Sequence, residues 1–170
     1  MTAVIDLKVK KLEDVYDAVA EKGRLSGQRE DSQKLIQAIK DELAVKENCF
    51  KGRQAKRTIL LIWNQPFLTV NFDTYVSRLI EASGGMNVFR TEPIYQFPIE
   101  MEDMIEALPE VLLLTGEPGP FRSRHIKDFR RYRIFSKIPI HLLDGGLWTD
   151  YGAKTVEALR TLREIYQNIS

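Results

Sequence analysis

The segment that decides the fold is residues 58–70, TILLIWNQPFLTV. Residues 59–62 form an unbroken apolar run, which is typical of a strand buried on both faces of a parallel sheet. Residues 63–67 then bring two aromatic rings and two side-chain amides, a composition typical of an apolar pocket with a few polar groups. In an open α/β sheet, ligands bind at the loop that leaves the carboxyl end of a strand. These residues therefore predict a ligand loop; alternatively, Trp63 and Phe67 only plug the end of the sheet.

The length and composition are those of one ordinary globular domain. The chain has 170 residues, with 25 Lys and Arg against 24 Asp and Glu, and a formal net charge of +1. Because the charges nearly cancel, net charge predicts no attraction to nucleic acid or to a membrane surface. The single cysteine, Cys49, excludes an internal disulfide and a Cys-x-x-Cys metal or redox site.

The N-terminal residues bear on the compartment. The stretch MTAVIDLKVKKLEDVY is interrupted by Asp6 and lacks the continuous apolar segment of an export signal. If the sequence is complete as written, it predicts a cytoplasmic protein. No apolar run approaches the roughly 20 residues that a membrane-spanning helix needs.

A strand and two helices are predicted before residue 58. Residues 3–9 alternate apolar and polar side chains, which indicates a half-exposed strand. Residues 12–21 have apolar side chains at helical spacing, and Gly23 is the predicted stop. A long second helix, capped by Asp31 or Ser32, is predicted to end near residue 47.

Strands and helices alternate after residue 70. We predict a helix from Asp73 to the Gly84–Gly85 pair, further helices at residues 100–108, 123–132 and 151–168, and strands at residues 87–89, 111–114 and 139–143. Residues 91–98 are predicted to be irregular, and residues 116–120 to form a rigid loop. This alternation predicts an α/β three-layer lobe, in which helices cover both faces of a small parallel sheet.

Catalytic and metal-binding patterns are weak. The histidines are His125, which lies among arginines, and His141, which lies inside a predicted strand. Asp144 ends that strand, a favourable position for chemistry, but Asp-Gly-Gly is also a common turn sequence. The sequence contains no phosphate-binding P-loop, no GxGxxG motif and no metal-ligand spacing. An α/β enzyme that uses Asp144 or His141 remains an alternative.

Two charged segments are candidates for binding partners. The basic one contains Arg122, Arg124, Lys127, Arg130, Arg131, Arg133 and Lys137. It could meet phosphates, although such runs are usually solvated helix faces. The acidic one contains Glu100, Glu102, Asp103, Glu106 and Glu110. These carboxylates either favour the N-terminus of their helix or form a docking surface for a basic partner.

Aromatic residues follow the predicted strands. They are Trp63, Phe67, Tyr95, Phe97, Phe121 and Trp148. Since four loops at one sheet edge each bring an aromatic ring, we predict the rim of a pocket for a large flat or apolar ligand.

Several stretches, in order, resemble a known family. They are ILLIWNQPFLTVNFDTYVSRLIEASGGMNVF, the loop of residues 95–102, LPEVLLLTGEPGPF and IPIHLLDGGLW. They resemble the C-terminal lobe of the ABC-importer solute-binding proteins whose two lobes are joined by one long helix. These are the receptors for cobalamin, haem and ferric siderophores, and the cobalamin-binding and helical-backbone metal receptor branch looks closest. Upstream, LEDVYDAVAEKGRLSGQREDSQKLIQAIKDEL is similar to the end of the first lobe and the connecting helix.

The resemblance implies a division of the chain and a function. Residues 1–29 would be the end of a first lobe, residues 30–50 the connecting helix, and residues 57–170 the ligand-binding lobe. The protein would be a non-catalytic component of an ABC importer that binds a metal chelate and needs no cofactor of its own. Its location would be periplasmic or otherwise extracytoplasmic, and its protein partner the importer's permease.

The resemblance also implies site residues. Ligand contacts would come from Asn64, Gln65, Pro66 and Phe67, together with Trp63 of the predicted rim, from Tyr95 and Gln96, and from Gly146, Leu147 and Trp148. Glu102 matches the surface glutamate that forms salt bridges to arginines of the permease. Some cobalamin receptors have a tryptophan in the loop that here contains Tyr95 and Gln96, so its absence weakens a cobalamin assignment.

One departure from the family is large. The two-lobe receptors have a whole N-terminal lobe as the second wall of the cleft, whereas this sequence starts near that lobe's end. We therefore expect a fragment, a truncated product or a reused lobe, and a homodimer if the first lobe is absent. A third hypothesis is an interaction domain that docks through the acidic helix and binds no small ligand.

Overall fold

The computed structural model describes residues 11–169, without the side chains of residues 46–48. The helices are α1 (Leu12–Ser26), α2 (Arg29–Cys49), α3 (Tyr75–Ala82), α4 (Met101–Glu106), α5 (Ser123–Phe129), α6 (Gly146–Thr149) and α7 (Ala153–Gln167). The strands are β1 (Lys56–Leu61), β2 (Trp63–Asn64), β3 (Phe67–Val70), β4 (Gly85–Asn87), β5 (Gln96–Ile99), β6 (Val111–Thr115) and β7 (Ile140–Leu143). The strand predicted at residues 3–9 lies outside the described residues.

Four strands form the predicted parallel sheet, in the order β4-β1-β6-β7. Alternate side chains of β1 enter two different cores. Leu60 belongs to the core shared with α1, α2, α3 and α7, while Ile59 and Leu61 belong to the core shared with α4 and α5. All three are at most 1% exposed, as expected for an unbroken apolar strand. The α/β three-layer prediction is confirmed.

The segment after β1 is not the predicted loop. Residues 63–70 form a hairpin of β2 and β3, and β5 completes a second, antiparallel sheet in the order β2-β3-β5. Part of the stretch predicted to be irregular, residues 91–98, therefore belongs to a strand. Thr69 ties the two sheets together, because its buried hydroxyl donates to the carbonyl of Leu60 at 2.7 Å.

The turn between the first two helices also differs from the prediction. Gly23 does not end α1, which continues to Ser26 and is capped by Gly27 at a φ of 75°. Gly23 instead allows α2 to approach closely, since a Cβ atom there would lie 1.8 Å from the Ser32 hydroxyl oxygen. The Ser32 hydroxyl is not the predicted cap, because it donates to the carbonyl of Gln28.

An ion cluster attaches α2 to the C-terminal helix. The carboxylate of Glu42, which is 9% exposed, accepts hydrogen bonds from Arg160 and Arg163 of α7.

The division of the chain into residues 1–29, 30–50 and 57–170 stays a prediction. None of the helices within residues 11–169 combines the length and apolar character needed to cross a bilayer.

Candidate ligand site

A cavity of about 350 Å³ lies between the hairpin, the start of α4 and helix α5. We call it the hairpin cavity. Its lining is Asn64, Gln65, Phe67, Glu100, Met101, His125, Asp128, Phe129 and Tyr132. The rings of Phe67 and Phe129 lie 5.6 Å apart and connect the hairpin to α5. The cavity therefore combines an apolar wall with amide, carboxylate and imidazole groups, as small-molecule sites do.

The register of the hairpin separates the predicted ligand residues onto two faces. Asn64 lies opposite Phe67, and Trp63 lies opposite Leu68. Directly opposed residues share a face, and successive residues alternate. Asn64 and Phe67 therefore share the face that lines the cavity, while Trp63 is on the other face. Gln96, which pairs with Val70, shares the face of Trp63.

Donor groups surround the ring of His125. Its Nδ1 accepts the backbone N–H of Arg122 at 2.8 Å. Its Nε2 lies 3.3 Å from Nδ2 of Asn64 and 3.4 Å from Nε of Arg124. The contact with Asn64 joins the hairpin to α5 across the cavity.

A second concavity, of about 730 Å³, lies at the carboxyl ends of β6 and β7. We call it the edge cavity. Its lining is Gly116, Glu117, Phe121, Arg122, Ser123, Arg124, Leu142, Leu143 and Asp144. The Phe121 ring of this cavity meets the His125 ring of the hairpin cavity edge-on, with centroids 5.6 Å apart. The two cavities are thus adjacent, on either side of the start of α5.

Asp144 is held in an ion pair. Its carboxylate accepts hydrogen bonds from Lys154 Nζ at 2.6 Å and from the N–H of Gly146 at 2.8 Å. The Lys154 bond, followed by the Gly146 bond, lowers the pKa of Asp144. Burial, and then the charge of Arg130, lowers the pKa of His141, which is half-buried. The two pKa shifts thus have ordinary structural causes, an ion pair for Asp144 and burial for His141.

Two of the predicted ligand residues are in the core. Leu147 is 3% and Trp148 1% exposed, and both side chains belong to the cluster on the α7 side of the sheet. The prediction that Trp148 is an open rim aromatic is wrong, because α6 turns its ring inward. Gly146 remains at the edge, where its N–H is bound to Asp144.

The remaining predicted residues are dispersed. Tyr95 is half-buried, and its carbonyl accepts from the N–H of Asn71 at 3.1 Å. Pro66 is exposed at the hairpin turn, after a cis peptide bond. Neither lines one of the two cavities. Of the predicted ligand residues, the structure brings together Asn64, Gln65 and Phe67.

Residues in and beside α5 are not among the ligand residues that the sequence predicts. His125 and Asp128 of α5 and Tyr132 after it line the hairpin cavity, and Arg122, just before α5, lines the edge cavity. The position of the basic helix in the sequence could have identified these residues, because that helix begins directly after the loop that leaves β6. Such a loop-to-helix junction lies at the ligand edge of a parallel sheet.

Some carboxylates of the acidic segment are engaged within the protein rather than available to a partner. Glu110 is tied to the Arg57 N–H at 2.9 Å, and Asp103 accepts the N–H of Glu100 at 2.7 Å. Glu102 and Glu106 are exposed on α4 and share one helix face, since they are four residues apart. They are the candidates for contact with a basic partner.

No family model matches the chain. Solved structures do. The haem-binding protein RhuT of Roseiflexus sp. RS-1 superposes with a TM-score of 0.77 at 19% identity, over 95% of this chain and 65% of its own. The vitamin B12-binding protein BtuF of Vibrio cholerae superposes with a TM-score of 0.74 at 16% identity, over 95% of this chain and 63% of its own. A protein of an ABC-type Fe3+-hydroxamate transport system from Saccharomonospora viridis superposes with a TM-score of 0.72 at 18% identity. The match covers 92% of this chain and 56% of the other.

The chain has the fold of these periplasmic binding proteins. The structural neighbours are consistently binding proteins for iron, haem, siderophore and cobalamin, which are substrate-binding transport proteins rather than enzymes. The predicted resemblance is confirmed for the fold. The chain spans less than two thirds of the length of RhuT and BtuF.

Proposed function

We propose that the protein is the ligand-binding component, or one lobe of it, of an ABC importer for a metal chelate such as a ferric siderophore, haem or cobalamin. The observation that carries the proposal is the likeness of fold, over 92–95% of the chain, to binding proteins for such chelates. An extracytoplasmic location follows from the same likeness. The ligand is the cargo, so no resident cofactor is needed.

The hairpin cavity supports the proposal from the residues upward. It lies beside the carboxyl end of β1, where the topology of a parallel sheet positions ligands. Phe67 is half-buried and offers its ring to a flat or apolar chelate, with the buried ring of Phe129 packed behind it. Asn64 and His125 offer hydrogen bonds to the periphery of the chelate. Within the described residues, no group of three or more His, Cys, Asp or Glu side chains is placed to hold a metal ion. We therefore propose recognition of an intact chelate through its organic part.

Glu102 supports a role for the permease as partner. It is exposed in the first turn of α4, directly after Glu100 and Met101, which line the hairpin cavity. A permease that contacts Glu102 would thus touch the helix that forms part of the site. An ion pair at that position would steer association and set the register of docking.

The test is direct binding of a chelate panel to the full chain by calorimetry. The panel contains haem, cyanocobalamin, ferric citrate and a ferric trihydroxamate. We expect saturable binding of at least one chelate, weakened about fivefold or more in Phe67→Ala, because an aromatic contact contributes about 1 kcal/mol or more.

The matched control is Phe50→Ala, which removes a half-buried ring beside Gly84, at the amino end of the sheet. It should leave chelate affinity unchanged. If the panel gives no saturable binding, the proposed function is wrong. If Phe50→Ala and Phe67→Ala weaken binding equally, the site is wrong.

A further inference from the structure

The structure divides the basic segment of residues 122–137 into groups with different roles. Arg130 Nη1 donates to the carbonyls of Phe135 and Ile138, each at 2.7 Å, so it fastens the end of α5 to the following loop. Arg131 faces Asp128 at 3.7 Å. The members of the segment that line the edge cavity are Arg122 and Arg124.

Arg122 is held in place by the backbone. Its Nη1 donates to the carbonyls of Gly119 and Phe121, each at 2.7 Å. Its Nη2 lies 4.0 Å from the carboxylate of Glu117, whose side chain is 84% exposed, so this ion pair is weak. One edge of the guanidinium is thus oriented by carbonyls, and the other is available to an acceptor in the cavity. A fixed guanidinium fork suits the geometry of a carboxylate.

The two arginines and two acids that line the edge cavity cancel formally, and Lys154, which pairs with Asp144 from outside the lining, leaves an excess of one positive charge. Asp144 is neutralised by Lys154 at 2.6 Å. The carboxylate of Glu117 can balance the charge of one of the two arginines, but its side chain is largely exposed, so solvent screens this ion pair. A cavity with an uncompensated guanidinium favours anions over neutral molecules of the same size.

Apolar side chains lie beneath this charge. Phe121 is fully buried, and Leu142 and Leu143 end the neighbouring strand. Phe121 also contacts the ring of His125, so a buried aromatic contact connects the floor of the edge cavity to the hairpin cavity. A ligand that fits both regions has an apolar or flat body with an acidic group at its edge.

We propose that the cargo is an anionic chelate with at least one free carboxylate, and that Arg122, assisted by Arg124, binds this carboxylate in the edge cavity. This inference rests on the proposed function and specifies the class of ligand. Haem, through its propionates, and carboxylate-type ferric chelates belong to that class. Cyanocobalamin and ferric trihydroxamates, which have no free carboxylate, do not.

The experiment compares matched probes on the full chain. Haem is titrated against haem dimethyl ester, which keeps the ring and iron but caps both carboxylates, and ferric citrate is titrated against a ferric trihydroxamate. We expect the carboxylate-bearing member of at least one pair to bind about tenfold tighter or more, the usual scale of a hydrogen bond to a charged group. This preference should shrink as salt is added.

Variants assign the effect to the arginines. Arg122→Gln and Arg124→Gln should each weaken binding of the carboxylate-bearing probe and leave the capped or neutral probe unchanged. Lys127→Gln, which removes the same charge from an exposed position of α5, should change neither. Because Arg122 also holds two carbonyls and Arg124 Nε lies 3.4 Å from His125 Nε2, thermal melts accompany both variants.

The outcomes separate this inference from the proposed function. If probes bind but neither pair favours its carboxylate-bearing member, or if cyanocobalamin binds as tightly as the tighter carboxylate probe, the protein is a chelate receptor and the inference is wrong. The same holds if both arginine variants behave like Lys127→Gln. If no probe binds, the proposed function and the inference fail together.

Discussion

At the scale of single residues, the two tryptophans have opposite environments. Trp148 is 1% exposed, and its Nε1 has no hydrogen-bond partner within the described part of the chain. Trp63 is half-buried on the hairpin. We predict that the fluorescence of Trp148, isolated in Trp63→Phe, is blue-shifted and barely quenched by acrylamide, whereas Trp63, isolated in Trp148→Phe, is quenched readily.

The different burial of the two tryptophans also predicts different losses of stability when each is replaced by alanine. Trp148→Ala should reduce the free energy of unfolding by about 3–5 kcal/mol, because it empties a core position. Trp63→Ala should reduce the free energy of unfolding clearly less, and urea denaturation of the two variants measures the difference. Equal quenching of both tryptophans, or equal costs, would contradict the core position of Trp148.

Residue type alone could not separate these tryptophans. Each follows a buried strand at the same edge of the sheet, and the sequence predicts that both lie in the rim. The difference is set by the backbone that follows. Trp63 enters a hairpin, whereas Trp148 enters the short helix α6, which turns its ring toward α7.

At the scale of elements, the attachment of α2 to α7 depends on Glu42. Burial alone would raise the pKa of Glu42, but hydrogen bonds from Arg163 and Arg160 outweigh it and lower this pKa. The stabilisation is therefore fully present above the unfolded pKa of about 4.3 and is lost as pH falls toward the lower folded value. We predict that Glu42→Ala lowers the free energy of unfolding at neutral pH by about 3 kcal/mol.

Urea denaturation at neutral pH and near pH 4 tests this prediction. The wild type should lose more stability on acidification than Glu42→Gln, which has no carboxylate to titrate. The control is Glu30→Ala in the same helix, whose pair with Lys34 is largely exposed and should contribute less than about 1 kcal/mol. An unchanged acid sensitivity in Glu42→Gln would exclude Glu42 as the source.

At the scale of the whole molecule, Glu102 provides a test of docking that is independent of the cavities. If α4 meets basic residues of a permease, Glu102→Lys should weaken association with the importer in nanodiscs by about tenfold and alter its salt dependence. A compensating Arg→Glu change on the permease should restore it. Chelate binding in solution should be unaffected, since Glu102 does not line either cavity.

The control for docking is Glu157→Lys, the same charge reversal at an exposed position of α7. If both reversals weaken association equally, net charge rather than the α4 surface governs the contact. If neither does, the assignment of Glu102 is wrong.

The sequence by itself determined the layers of this protein. The unbroken apolar runs at residues 59–62 and 111–114 predict strands buried on both faces, and the intervening helices predict parallel pairing. These are local signals, because a strand between two layers of helices must be apolar at every position. The family resemblance through Asn64–Phe67 followed from the same stretch, and the structural neighbours share the fold.

Only the tertiary structure decided which side chains meet. The two-residue strand β2 is too short to have a period of its own, and β3 pairs with β5 about 30 residues later. That pairing turns Asn64 and Phe67 toward α5 and Trp63 away from it. Likewise, the arginines that flank α5 look equivalent in the sequence. Backbone carbonyls hold Arg122 at the edge cavity and Arg130 on the following loop. These carbonyls are one to eight residues away along the chain, so the fold of the loops at the two ends of α5, rather than residue type, decides where each guanidinium lies.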